Sequence, residues 1–501
     1  MPKRNPSCTA VESSHHQPRE MQQRLGLFDV TTIVIGSMIG SAIFVAPSIM
    51  AEFVRAPGLI LGLWIFGGLF TILGALSVAE LAAMMPRAGG TYVYLGEAFG
   101  RFWGFLYGWT LFLVIQTGFN AAVAIAFAKY LGMFLPALAE SHVLVSVRLG
   151  ERLGPEMALS LPSFLRSFEV NTAQLTACGL IALLTGINVL GVREGARVQN
   201  LFTVLKLAAL GALIAVGLPR LLHGWENLFP LFDSRPGELA VNAGFLAGAA
   251  VALSKALFAY DAWNTSTFVA EEIRNPQRTL PRALIVGTTI VMLVYVLTNV
   301  AYLAVMPIRE MADAKENCVA APVAVALFGR LGSAAVIVAI LISTFGCVNG
   351  MILGGARVVY AMARDGLFFP SCAHLHPRFG TPAVALAYQG VWSCVLTLTG
   401  SYSDLLTYTT FASVLFSALA VTGVYRLRWK EPDRPRPHRC WGYPVTPALY
   451  LLVALPFLFY VILGNPAATL IGAVLIMTGV PVYLLQKRSQ ISVHAPGTGA
   501  G

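Results

Sequence analysis

Twelve apolar stretches, separated by short polar or glycine- and proline-bearing turns, account for most of the chain. They lie near residues 29–50, 59–83, 102–131, 172–190, 198–217, 241–270, 283–305, 333–356, 383–400, 404–424, 446–463 and 467–485. A run of about 20 apolar residues spans a bilayer as a helix, because only a helix or a closed barrel satisfies its own backbone there. Two of the twelve are interrupted. The first carries Gly36-Ser37-Met38-Ile39-Gly40-Ser41-Ala42-Ile43-Phe44, where two glycines and two small hydroxyl residues weaken the helix in mid-span. Amides freed at such a break bind an anionic group such as a carboxylate, although a Gly-xxx-Gly packing face would use the same residues. The sixth carries Lys255, Phe258, Asp261, Trp263 and Asn264 between Ser254 and Asn264. Such polar groups are expensive in a membrane unless they line a cavity. Stretches one and six begin the two halves of a five-plus-five arrangement, and paired breaks at corresponding positions point to a transport site at mid-membrane. The pairing turns the first break from a packing feature into half of a site.

Other polar residues fall inside or at the ends of apolar runs. Glu80 opens a segment that continues through Pro86-Arg87-Ala88-Gly89-Gly90 to Tyr94. A carboxylate there needs a partner, and Arg87 or another internal-loop arginine is expected to supply it. Lys206 follows Asn200 and Thr203. It either snorkels to the interface or faces the bundle interior, where an ammonium would neutralise carbonyls freed at a broken helix. In the eighth stretch, Ser343, Thr344, Gly346, Cys347, Asn349 and Gly350 suit close approach to the first stretch and to Lys206.

Composition agrees with a polytopic membrane protein: 56% of the 501 residues are hydrophobic and 12% charged, about half the charged share of a soluble domain. The net charge of +10 could point to nucleic acid, but the loops account for it. Taken alternately, the loops on one side hold 22 Lys and Arg and those on the other hold 9, which places both termini in the cytoplasm. Seven scattered cysteines give no disulfide framework and no zinc spacing. Residues 1–26 read as a disordered cytoplasmic tail, with His15-His16 a solvated pair rather than a metal site. A transport core of ten helices over 27–424, a basic loop with two further helices over 425–485, and a polar cytoplasmic tail over 486–501 follow. The longest external loop, Gly132 to Asn171, has no cysteine, and within it Leu144–Gly154 is expected to form a short amphipathic helix.

Together these motifs resemble the amino acid–polyamine–organocation permeases, most of all their L-type amino acid transporter branch, over about residues 25–485. The resemblance rests on residues 36–44, the Glu80–Tyr94 segment, Val198-Gln199-Asn200 to Lys206, Phe258–Asn264 and Glu271-Glu272-Ile273-Arg274-Asn275-Pro276. It implies an all-α fold of twelve transmembrane helices, built as an inverted five-helix repeat with discontinuous helices 1 and 6. The substrate carboxylate would meet the amides and hydroxyl around Gly40, Ser41 and Ala42. The α-ammonium would meet carbonyls near Ser37, Met38, Phe258, Ala259 and Asp261, with Phe258 as outer gate. Lys206, near Ser343, would stand where sodium-coupled relatives hold a cation. Family members usually carry glycine at the positions of Ala42 and Ala262, so the added methyls are expected to narrow the site. Asp261 would favour cationic side chains or pair with Lys255.

The function expected is secondary transport of neutral L-amino acids across the plasma membrane by alternating access, as an exchanger or coupled to protons. Cationic amino acid or polyamine transport is the alternative, and a transport-inactive amino acid sensor a further one. No HExxH, GxSxG or paired-carboxylate constellation supports an enzyme. No cofactor or metal is expected, nor a heavy subunit linked through an external cysteine.

Overall fold

The computed structural model describes residues 21–147, 168–229, 231, 243–314, 318–399, 402–464 and 466–494. They form a helical bundle with ten spans long and apolar enough to cross a membrane, plus two shorter apolar helices, Gly248–Ala259 and Ala383–Thr399. The chain opens with α1 (Leu27–Met38) and α2 (Ala42–Phe53), then α3 (Pro57–Met84) and α4 (Thr91–Phe99). The next helix, α5 (Arg101–Thr110) and α6 (Gln116–Phe134), runs through a π-helical turn at Leu111–Ile115. After it come α7 (Thr172–Val189), α8 (Val192–Gly217), α9 (Ala243–Ala259), α10 (Pro276–Val305), α11 (Ala320–Phe328) and α12 (Leu331–Arg364). The chain ends with α13 (Ala383–Thr399), α14 (Tyr402–Lys430), α15 (Val445–Gly464), α16 (Pro466–Met477) and α17 (Gly479–His494).

The apolar stretches map onto these helices, and the differences have local causes. The helix expected from 283 starts at Pro276, where proline occupies the first helical position after Asn275 in a left-handed conformation (φ 48°). Leu144 to Val147 is not helical. Val143–Val147 is a strand, β1, paired antiparallel with β2 (Phe168–Asn171), as the β-branched alternation Val-Leu-Val-Ser-Val favours. The rest of that expected helix, 148–154, lies outside the described residues, as do His15 and His16. Arg24 and Leu25, expected within a disordered tail, are instead bonded to the bundle. The Arg24 and Leu25 amides both donate to the Glu272 carbonyl (2.8 and 2.9 Å), the Arg274 amide donates to Leu25 (2.9 Å), and Leu25 is buried.

Charged groups concentrate at this end of the bundle. Glu80 is buried and paired, but not by Arg87, which bonds Glu97 at 2.5 Å instead. Glu80 accepts from Arg428 (2.9 and 2.6 Å) and the Cys440 amide (2.7 Å), with Arg436 at 3.4 Å, so it ties α3 to the turn after α14. Glu272 and Arg357 form a two-pronged pair at 3.1 and 3.2 Å with side chains 2% and 0% exposed. Next to it the more exposed Arg364 pairs with Glu271 (2.9 and 3.1 Å). Tyr92 on α4 donates to Asp365 (2.7 Å).

Breaking a fully buried pair by removing one charge strands the other and costs about 3–5 kcal/mol. Arg357→Met should therefore lower the melting temperature of the purified protein sharply. Pairing it with Glu272→Gln should recover most of the loss. If the single variant melts like wild type, the pair does not hold this end closed.

Candidate functional site

Both expected breaks are present, and they face each other. Between α1 and α2 the chain is non-helical from Ile39 (φ −79°, ψ 99°) to Ser41, which caps α2. The last carbonyls of α1 lose their helical partners here, and each finds a donor from another helix. The buried Lys206 ammonium on α8 donates to the carbonyls of Gly36 (2.9 Å), Ile39 (2.7 Å) and Ser343 (2.9 Å). The Ser343 hydroxyl donates to Ile39 and Gly40 (3.1 and 2.9 Å). Cys347 donates its thiol to Ser37 (3.0 Å), and Tyr295 its hydroxyl to Met38 (3.0 Å). Lys206 thus faces the interior and does not snorkel.

The two glycines divide the packing and cavity roles. A Cβ on Gly36 would lie 1.9 Å from Gln199 Nε2 and 2.3 Å from Thr203 Oγ1, so α1 and α8 touch through it. Gly40 faces the cavity beside Cys347.

The second break follows α9. Tyr260–Asn264 forms a turn, and a 3-10 segment runs from Thr265 to Glu272. Ala262 holds φ at +65°, a left-handed conformation that costs an alanine about 1–2 kcal/mol. Asp261 stabilises the turn around it: its amide donates to Phe258 (3.1 Å), and its Oδ1 accepts from the Ala262 amide (2.7 Å) and Ser413 (2.8 Å). Among the described residues Oδ2 of Asp261 has no hydrogen-bond partner, and no bond joins it to Lys255.

A cavity of about 20 Å³ lies between the breaks, room for roughly one water. Ser37, Met38, Gly40, Ser41, Ala42, Phe258 and Asp261 line it, with Ala262 and Cys347. Ala259 lies just outside the lining, and Lys206 and Ser343 sit behind the first break. Phe258 stacks on Phe119 of α6, centroids 5.2 Å apart at 19°. A second cavity of similar size, reached past Asp261 and Ala262, is walled by Gln116, Asn264, Thr265, Ser413 and Ser417 beside the π-helical turn.

The first amides of α2 have no partner within their helix, and among the described residues the buried Ser37 hydroxyl has none either. The carbonyls of Ser37, Met38, Phe258 and Ala259, by contrast, each already accept one bond. An entering ammonium would use their second lone pairs. Three contributors were not singled out from the sequence. Phe119 and Ser413 have side chains common in membrane helices. Tyr295 shares its stretch with Thr298 and Asn299, so its polarity alone does not mark it.

The chain can now be compared with known proteins. The amino acid permease family profile matches residues 25–484. The chain is 33% identical over 471 residues to the human large neutral amino acids transporter small subunit 2, covering 93% of this chain and 80% of that one. It is 30% identical over 466 residues to the mouse Asc-type amino acid transporter 1, covering 93% and 81%. It is 28% identical over 482 residues to the serine/threonine exchanger SteT of Bacillus subtilis (strain 168), covering 95% and 100%. These relatives are transporters, not enzymes. The chain belongs to the amino acid permease family of the amino acid–polyamine–organocation superfamily, close to its L-type transporter branch.

Proposed function

We propose that this protein exchanges neutral L-amino acids across the plasma membrane by alternating access. One observation carries the reading: two broken helices present freed ends, with convergent carbonyls, to the same cavity. An amino acid carries a carboxylate and an ammonium two bonds apart, and only a site offering both kinds of partner suits it. The carboxylate binds the amides and hydroxyl at Gly40, Ser41 and Ala42. The ammonium binds the carbonyls of Ser37, Met38, Phe258, Ala259 and Asp261. Lys206, with Ser343, acts as a tethered substitute for a coupling cation, and Phe258 gates the outer side against Phe119. The names of relatives support neutral substrates, and one of those names supports exchange.

In this reading the ten long spans and two shorter apolar helices make twelve transmembrane helices. Residues 27–424 form the inverted five-plus-five core, and both termini are cytoplasmic. The absence of cysteine from residues 132–171 favours a carrier without a disulfide-linked heavy subunit. The unpartnered Oδ2 of Asp261 supports a second reading, in which cationic or donor-bearing side chains are preferred.

Uptake of a labelled neutral amino acid into proteoliposomes should require unlabelled amino acid inside. Uptake into empty vesicles driven by a pH gradient would overturn exchange. Lys206→Ala should reduce transport at least about tenfold, the scale of one lost charge-assisted hydrogen bond. Sodium-dependent uptake that persists in that variant would overturn its role. In a competition panel, Asp261→Asn should lose arginine and lysine selectively if the second reading holds, and leave neutral competitors unchanged. Ala42→Gly and Ala262→Gly should admit bulkier side chains; an unaltered profile in both would remove these methyls as selectivity determinants.

A further inference from the structure

Three segments far apart in sequence meet at one end of the bundle around a cavity of about 570 Å³, with Arg24, Leu190, Arg193, Arg378 and Phe379 in its wall. Arg24 lies just before α1, Arg193 in the first turn of α8, and Arg378 between α12 and α13. All three arginines are exposed, and among the described residues none pairs with a carboxylate. Arg24 bonds Gln22, and Arg378 lies over the Phe379 ring at 5.4 Å. Among the described residues Glu194 is the only carboxylate in the wall, and Arg197 engages it at 2.6 Å. The contrast with Arg357, Arg364 and Arg428 is plain, since each of those meets a carboxylate. Three like charges around one cavity repel one another, and a bound anion relieves that. The volume is far above the ~10–15 Å³ that one water needs, so it takes a polyatomic group and not merely a small ion.

The surroundings favour a lipid. Leu190, 54% exposed, shares the wall with the arginines, and Leu27 and Phe28, 46% and 61% exposed, follow Arg24 at the start of α1. Exposed apolar residues directly beside arginines mark the level where a membrane bundle passes from hydrocarbon to headgroups. A phosphodiester carries a negative charge and acceptor oxygens that the guanidinium fork matches. We infer that this cavity binds the headgroup of an acidic phospholipid of the cytoplasmic leaflet, its phosphate held by Arg24, Arg193 and Arg378. Only the choice of leaflet rests on the proposed orientation. Backbone bonds join the Arg24 segment to Glu272 and Arg274, where the second break ends. A headgroup held by all three arginines therefore fastens that segment to the first turn of α8 and to the α12–α13 loop.

The test titrates the purified full-length protein, in neutral detergent, with dihexanoyl phosphatidylglycerol, dihexanoyl phosphatidylcholine or inorganic phosphate, and reads the melting temperature. A ligand that binds the folded state raises it. The acidic lipid should raise it saturably, and phosphatidylcholine and phosphate should not. In the double variant Arg193→Gln, Arg378→Gln, the acidic lipid needed for half the shift should rise at least about tenfold, the scale of two basic residues at an anionic surface. Arg282→Gln with Arg439→Gln removes the same charge from exposed arginines outside the cavity, and should leave that concentration unchanged. An equal shift with phosphatidylcholine would overturn recognition of an acidic headgroup. An equal shift with phosphate would make this a site for free anions and overturn the lipid. No shift with the acidic lipid, no weakening in the first double variant, or equal weakening in the second would each overturn the site itself. No arm involves a transported amino acid, so failure here leaves the transport reading standing.

Discussion

A carbonyl released inside a bilayer has no water to turn to, and leaving it unpaired costs several kcal/mol. That constraint governs the centre of this protein. Five consecutive carbonyls, from Gly36 to Gly40, each accept from a side chain on a different helix. α8 supplies Lys206, α10 supplies Tyr295, and α12 supplies Ser343 and Cys347. An ammonium has three N–H bonds, and Lys206 uses them on three carbonyls, two from the break and one from α12. The break is thus stitched to three neighbouring helices, one of which, α8, also bonds α1 through Asn200 and Thr203. In a membrane apolar packing has no hydrophobic drive behind it, so these bonds set where the helices sit around the site.

The same accounting leaves an imbalance at the cavity. Donors from side chains are spent on carbonyls, while among the described residues the Ser37 hydroxyl remains unspent. On the other wall, Asp261 commits one oxygen to its own turn and to Ser413 and leaves the second bare. That turn is held in place against its own preference, because Ala262 sits at φ +65° where glycine would rest freely. A cavity of about 20 Å³ is far smaller than an amino acid, and the hinge points that must yield for one to enter are the two turns. Ala262 stores strain in this arrangement, and movement away from the left-handed region would release it.

Both breaks were legible in the sequence because their cause is local. Glycine and serine in mid-span, or aspartate and asparagine in mid-span, contradict a membrane helix whatever surrounds them. Lys206 could be flagged but not oriented: snorkelling and burial predict the same letters, and only the position of the first break decides between them. Glu80 could be flagged as needing a partner, yet its arginine lies 348 residues away and the nearer Arg87 was equally eligible. Tyr295 was invisible for a different reason. A tyrosine in an apolar helix fits core, interface or site, and its meaning arises only where two distant turns meet. The β1 segment shows the reverse failure, where a periodicity read over too long a window hid a short β-branched run.

Two groups of contacts around the broken helices differ in chemistry. One is ionic, towards α4: Glu272 with Arg357, Glu271 with Arg364, and the Leu25 segment hydrogen-bonded across Glu272 and Arg274. The other is aromatic: Phe258 stacks on Phe119 in the cavity lining. An ion pair in a protein interior gains in Coulomb energy about what it loses in hydration, so opening it into water replaces one set of strong interactions with another. An apolar plug of the same size would lose its whole burial energy on wetting. The ionic end spans several helices and would have to be wetted as a unit, and near-cancellation is what makes such a wide seal reversible. Two stacked rings would expose far less area than such a plug.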